Sequence, residues 1–160
     1  MQDYRLEPAR LADTVRLAAM SHELIESGLR PGWGAQRISW YVRHPESVVL
    51  TARSDRTIAG FAIMRYADEA AHLNLLAVDP AHRRRGIARR LVTWLEETAL
   101  TAGTFIIGLE LRAQNVAAQD FYRALGYREV GRVTGYYQGI EAAIRMERDV
   151  RVSRPAAARS

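Results

Sequence analysis

No cysteine occurs among the 160 residues. That excludes disulfides, a thiolate metal site and a covalent thiol intermediate. Lysine is missing too: all 23 basic side chains are arginine, a bias that codon usage explains as readily as function, and one that leaves no lysine of its own to modify. No apolar run approaches the roughly 20 residues that span a bilayer, and Met1-Gln2-Asp3-Tyr4-Arg5 lacks the apolar core of a signal peptide. The expectation is therefore a cytoplasmic protein with no membrane partner. The four histidines, His22, His44, His72 and His82, show no close helical or finger-type pairing, so no metal is expected. Internal repeats and low-complexity segments are absent as well.

With 48% hydrophobic and 26% charged residues, the chain reads as ordinary globular material with room for one sizeable core. A single domain over 1–150 is expected, with a loose polar tail over 151–160. The net charge of +5 favours an anionic ligand: a nucleotide-bearing cofactor, an acidic peptide or a nucleic acid. Interleaved acids such as Glu96, Glu97, Glu110 and Asp120 weigh against nucleic acid, and no nucleic-acid motif is present.

Periodicity predicts a short strand over 3–7 and a helix from Ala9 to Glu26 with Leu11, Val15, Leu17, Ala18, Leu24 and Ile25 on its apolar face. After Gly28, the segment Arg30-Pro31-Gly32-Trp33-Gly34 is a loop, and a second helix covers Ala35 to Arg43 before Pro45. Trp33, Trp40 and Tyr41 read as packing residues. Val48–Arg53 and Thr57–Tyr66 form strands about a polar turn, with Gly60 marking a bulge or a close approach. A strand over Ala71–Val78 then leads into a helix bearing Ile87, Leu91, Trp94, Leu95 and Leu100, closed by Gly103. Next come a strand over Phe105–Leu111, a helix over Asn115–Leu125, and paired strands over Tyr127–Val133 and Ala142–Asp149. The connection of that last pair carries Tyr136-Tyr137-Gln138-Gly139.

Two places carry chemistry. The first is the strand-to-helix passage Asp79-Pro80-Ala81-His82-Arg83-Arg84-Arg85-Gly86-Ile87-Ala88. The N–H groups of a helix's first turn lack intrahelical acceptors and sit at the positive end of the macrodipole, which suits a phosphate. Gly86 and Ala88 permit close approach, and Arg83, Arg84, Arg85, Arg89 and Arg90 supply guanidinium charge. From this loop alone, a phosphorylated ligand and a solvated arginine face are equally good readings. Neither the Walker pattern nor the dinucleotide fingerprint is present.

The second is Leu109-Glu110-Leu111-Arg112 followed by Asn115, an N-cap residue. Asn115, Ala118 and Tyr122 share one face of the helix it opens. A carboxylate at a strand end and a phenol on a helix face are thereby joined by a short crossover.

Together, Arg83-x-x-Gly86-x-Ala88 and Leu109-x-Leu111-x-x-x-Asn115-x-x-Ala118-x-x-x-Tyr122-x-x-x-Gly126-Tyr127 resemble the GNAT superfamily of acyl-CoA-dependent N-acetyltransferases. Ala77-Val78-Asp79-Pro80, Leu109-Glu110-Leu111-Arg112-Ala113-x-Asn115 and Gly131 with Tyr136-Tyr137 are most similar to the bacterial ribosomal-protein alanine N-acetyltransferases. Thr134-Gly135 and Ala142 depart from that pattern, where a basic and an acidic residue are expected. The resemblance implies an α/β (α+β) fold: a mixed central sheet of about seven strands, splayed between the fourth and fifth, with about four flanking helices.

It also implies acetyl-CoA as cosubstrate, without a metal. Its pantetheine would pair with backbone at Leu76, Ala77 and Val78 and touch Asn115. Its pyrophosphate would rest on the backbone from Arg84 through Arg85, Gly86, Ile87 and Ala88 to Arg89, with Arg83 alongside. Glu110 is then the candidate general base, through water, and Tyr122 the candidate acid: its hydroxyl, with a pKa of about 10, can donate to a developing thiolate. A salt bridge for Glu110, to Arg112 or another arginine, and a buried aromatic role for Tyr122 are the plainer alternatives. Tyr136 and Tyr137 are candidate substrate-wall residues.

The acceptor is expected to be a protein or peptide N-terminal amine. An α-amine is about a tenth neutral at pH 7, a lysine amine less than about a thousandth. A small-molecule amine or amino acid acceptor, a non-catalytic acyl-CoA-binding module, and nucleic-acid binding by the arginine cluster are the competing readings. A homodimer stays open.

Overall fold

The computed structural model describes residues 3–26, 28–29, 32–137 and 141–154, apart from the side chains of Tyr136, Tyr137 and Glu141. The strands are β1 (Arg5–Pro8), β2 (Ser47–Ser54), β3 (Thr57–Tyr66), β4 (Ala70–Val78), β5 (Ile106–Arg112), β6 (Arg128–Tyr137) and β7 (Glu141–Asp149). The helices are α1 (Thr14–Leu24), α2 (Ala35–Arg43), α3 (Ile87–Ala102) and α4 (Val116–Ala124). All seven strands join one sheet in the order β1-β2-β3-β4-β5-β7-β6, antiparallel throughout except for β4 and β5.

The parallel pair is short. Only Ala70, Ala71 and His72 pair with Ile106, Ile107 and Gly108, so beyond His72 the strands diverge and the β4 edge facing β5 is left without a β5 partner. This is the expected splay between the fourth and fifth strands.

Two apolar clusters flank the sheet. One sets α3 and α4 residues such as Leu91, Leu95 and Tyr122 against Ala62, Met64, Leu73, Leu109 and Ile144. The other sets Leu17, Met20, Ile38 and Tyr41 of α1 and α2 against Phe61, Ile63, Leu75 and Ala77. Strand β4 serves both because Met64 pairs with Leu73 but Ile63 with Leu75, which makes Asn74 the extra residue of a bulge. The bulge reverses side-chain alternation: Ala71 and Leu73 face α3, while Leu75 and Ala77 face α1 and α2. A second bulge makes Ala59 the extra residue of β3, since Ala52 pairs with Gly60 but Arg53 with Ile58.

Several expectations shift. The first helix begins as a 3-10 turn over Leu11–Asp13, and α1 proper starts at Thr14. Leu11 and Val15 are exposed, at 45% and 72%: only the face that carries Leu17 and Met20 meets the sheet. Leu100 at 45% also lies outside the core, with Val92 and Ala99 buried on the inner face of α3 instead. Tyr41 is buried and Trp33 packs beside it with centroids 5.0 Å apart, but Trp40 is 45% exposed.

Tyr136 and Tyr137 fall within β6 rather than in the connection after it; their side chains, and Gln138 and Gly139, lie outside the described residues. After β7 the chain stays on the body through Arg154, which donates to Thr93 Oγ1 at 2.8 Å and pairs with Glu96. The rest of the expected tail, 155–160, lies outside the described residues.

Candidate active site

The diverging strands open a cleft of about 210 Å³ whose walls include Leu73 to Leu76 of β4, Leu109 to Arg112 of β5, and Asn115, Ala118 and Tyr122. The helix-face grouping read from the sequence is thus brought onto one wall. Asn115 is the N-cap of α4, its Oδ1 accepting the Ala118 N–H at 3.0 Å. Tyr122 is 7% exposed, its ring edge-on to Phe121 and Tyr127 at centroid distances of 5.0 and 5.4 Å. Leu76 reaches the cleft directly, whereas the Ala77 side chain is buried toward α1 and α2 and Val78 packs toward α3. Neither of those two residues lines this cleft.

At the end of β4, Asp79 caps a 3-10 turn over Pro80–His82 by accepting the Ala81 N–H at 2.9 Å. The chain then passes through Arg84 and Gly86, both left-handed with φ of 64° and 73°, and enters α3. Gly86 is the N-cap and brings no side-chain acceptor, so the first-turn amides of Ile87, Ala88 and Arg89 remain for an anion. Ile87 is 2% exposed; its side chain anchors the helix start in the core and only its amide faces outward.

The arginines divide. All five are exposed, but two of them also hold another part of the chain. Arg85 donates to the Tyr4 hydroxyl at 3.0 Å and Arg90 to the Tyr4 carbonyl at 3.1 Å, while that hydroxyl lies 2.8 Å from His82 Nδ1. Arg85 and Arg90 thus tie the loop to the start of β1, a structural duty that the uniform arginine run does not disclose.

A second, larger cavity of about 640 Å³ lies at the other end of the splay, lined by His72, Tyr66, Arg65 and Arg145 among others. Asn74, Leu109 and Glu110 line both cavities; the two spaces meet there. The Asn74 side-chain oxygen and the Tyr66 hydroxyl are buried without a hydrogen-bond partner among the described residues. Burial pushes Tyr66 up to about 12, so it keeps its proton and remains a donor.

Glu110 does not pair with Arg112. Its carboxylate is hydrogen-bonded to His72 Nε2 and lies 3.5 Å from Arg145, its cross-strand partner on β7. The His72 hydrogen bond holds Glu110 below the ordinary glutamate value, burial opposes this, and the charges of His72 and Arg145 lower it further. A carboxylate held this way stays ionised and is a weaker proton acceptor than a free glutamate. His72, Asn74 and Tyr66 were not singled out by sequence motifs. The available signal was alternation, since Ala71 and Leu73 on one face of a strand leave His72 on the other.

Among the described residues there is no cluster of three or more metal-ligating side chains, and no helix is long and apolar enough to cross a membrane.

Residues 17–127 match the acetyltransferase (GNAT) family. The chain is 39% identical over 100 residues, covering 61% of this chain and 68% of the relative, to the ribosomal protein bS18-alanine N-acetyltransferase of Salmonella typhimurium. It is 30% identical over 151 residues, covering 89% and 94%, to the N-alpha-acetyltransferase RimI of Mycobacterium tuberculosis. In fold it is similar to the crystal structure of NAA60 of Arabidopsis thaliana in complex with acetyl-CoA, with a TM-score of 0.81, 17% identity, and coverage of 94% of this chain and all of the other.

Proposed function

This chain belongs to the acetyltransferase (GNAT) family and draws its acyl group from acetyl-CoA, and from that premise we propose that it acetylates the N-terminal α-amine of a protein or peptide. The observation that carries the reading is the meeting of two cavities at Asn74 and Glu110. The narrow cleft takes the pantetheine between β4 and β5, with the amides of Leu76, Ala77 and Val78 and the side chain of Asn115 along its length. The pyrophosphate rests at Arg84–Arg89. The larger cavity admits the acceptor from the opposite end, as a direct transfer requires.

The chemistry follows from what faces the junction. An amine nucleophile must be neutral, so its surplus proton has to leave, and Glu110 receives it through water or a neighbouring group. Tyr122 in the cleft donates its hydroxyl proton to the departing thiolate. A backbone N–H near Val78 polarises the thioester carbonyl. One relative is named as an alanine N-acetyltransferase of ribosomal protein bS18 and the other as an N-alpha-acetyltransferase, which supports a protein α-amine as acceptor. The domain is taken to span 1–150, to reside in the cytoplasm, and to make its acceptor contacts partly through Tyr136 and Tyr137.

Incubation with acetyl-CoA and a mixed library of peptides and small amines, read by mass spectrometry, tests the proposal. Products acetylated at peptide α-amines are expected. Products confined to lysine side chains or metabolite amines would overturn it.

A further inference from the structure

We propose that His72 is the catalytic residue that takes the proton from the acceptor amine, with Glu110 behind it, so that the base of this site is a histidine–carboxylate dyad rather than a lone glutamate. The inference rests on the acetyl-transfer reading above and adds a residue to it. Its ground is register: His72 stands directly opposite Gly108 in the last rung of the β4–β5 pair, which places Glu110 two residues on, on the same face of the sheet. The Nε2–Oε2 hydrogen bond follows from that placement.

The two members differ in access. Both line the acceptor cavity, but the imidazole is 42% exposed and the carboxylate 16%. With Nε2–H donating to Glu110, the ring keeps its lone pair at Nδ1, the arrangement in which a carboxylate sets the tautomer of a histidine base. Arg145 faces Glu110 from β7 and Arg65 faces His72 from β3. Glu46, Glu147, Tyr41 and Tyr66 line the same cavity. A second carboxylate interaction, Glu110 with Arg145 at 3.5 Å, keeps the dyad's acid member ionised and available to the imidazolium.

The step balances as follows. The lone pair of the neutral amine attacks the thioester carbonyl carbon, a C–N bond forms, and the π pair moves to oxygen. The N–H proton passes to His72 Nδ1. Collapse restores C=O and breaks C–S, and sulfur leaves with the bonding pair and takes the Tyr122 hydroxyl proton. Solvent then removes the imidazolium proton and reprotonates the phenolate.

The test uses the full-length enzyme, acetyl-CoA, and the best acceptor from the library above. His72→Gln is expected to lower kcat about 100-fold, the lower end of the general-base range. Coenzyme A affinity by calorimetry should stay within about twofold, since the donor cleft is untouched. In His72→Ala, added imidazole should restore a saturable part of the rate, which a structural role would not permit. Glu110→Gln should cost much less in the His72→Gln background than alone, because members of one unit are not additive. A His72→Gln enzyme within threefold of wild-type kcat, or full additivity with Glu110→Gln, would overturn the dyad. If only small amines are acetylated and imidazole rescue persists with them, the dyad stands and the peptide reading fails. No transfer to any amine overturns both.

Discussion

Gly60→Ala sets two opposite effects against each other, and the space around the residue decides between them. Gly60 lies in β3 beside the bulge, without a positive φ, and alanine there would reduce the entropy of the unfolded chain, a gain of about 0.4–1 kcal/mol. A Cβ at this position, however, would lie 2.9 Å from the Ala77 carbonyl oxygen and 3.2 Å from both Ile87 Cγ2 and Val78 Cγ2. The nearest obstacle is backbone, and Ile87 is 2% exposed, so neither can turn away. Overpacking of this kind costs about 1–3 kcal/mol, and the net expectation is a loss of about 1–2 kcal/mol, or roughly 2–8 °C in Tm for a domain of this size.

The same clash has a functional consequence. Relief requires β4 to shift at Ala77 and Val78, the positions assigned to pantetheine, so KM for acetyl-CoA should rise several-fold. Urea denaturation and acetyl-CoA titration measure the two effects separately. Gly131→Ala, whose Cβ would meet nothing within 4 Å, is the matched control and should change neither by much. A Gly60→Ala protein as stable as wild type, with an unchanged KM, would refute the reasoning.

Tyr122→Phe keeps the ring that packs on Phe121 and Tyr127 and removes only the hydroxyl; steady-state assays should show kcat down about 100-fold or more. Glu96→Ala leaves Arg148 buried without its 2.8 Å carboxylate and deprives the Tyr127 hydroxyl of its 2.9 Å acceptor. A loss of about 3–5 kcal/mol by chemical denaturation is expected, the cost of stranding a buried charge. Glu110, whose folded-state pKa lies below the ordinary value of 4.5, contributes stability that is present above that value and lost as pH falls through the folded one. The urea midpoint should therefore drop more steeply on acidification from about pH 5 to about pH 3 in wild type than in Glu110→Gln.

Much of the architecture was legible because it is written locally. The helix over Ala35–Arg43, the strand over Thr57–Tyr66 and the C-cap at Gly103 were read from periodicity and punctuation and stand where expected. So does the N-cap at Asn115, whose side chain needs only the amide three residues on. Where a reading depended on which of several apolar residues would meet the sheet, it failed: Leu11, Val15 and Leu100 belong to the apolar periodicity yet face solvent. A helix's pattern tolerates more than one orientation, and only the packed neighbour selects one.

Spacing within the chain thus determined the residues proposed for the donor side. Gly86 before a helix start, and Asn115, Ala118 and Tyr122 on one helical face, are relations over a few residues that backbone geometry alone enforces. The tertiary structure decided the residues proposed for the acceptor side. The bulge at Asn74 inverts the alternation of β4, and the parallel register of β4 with β5 brings His72 to Glu110, 38 positions further along the chain. Strand pairing carries no local signature of its partner or its register. The carboxylate could be found in the sequence, but the histidine that holds it could be found only once the sheet was assembled.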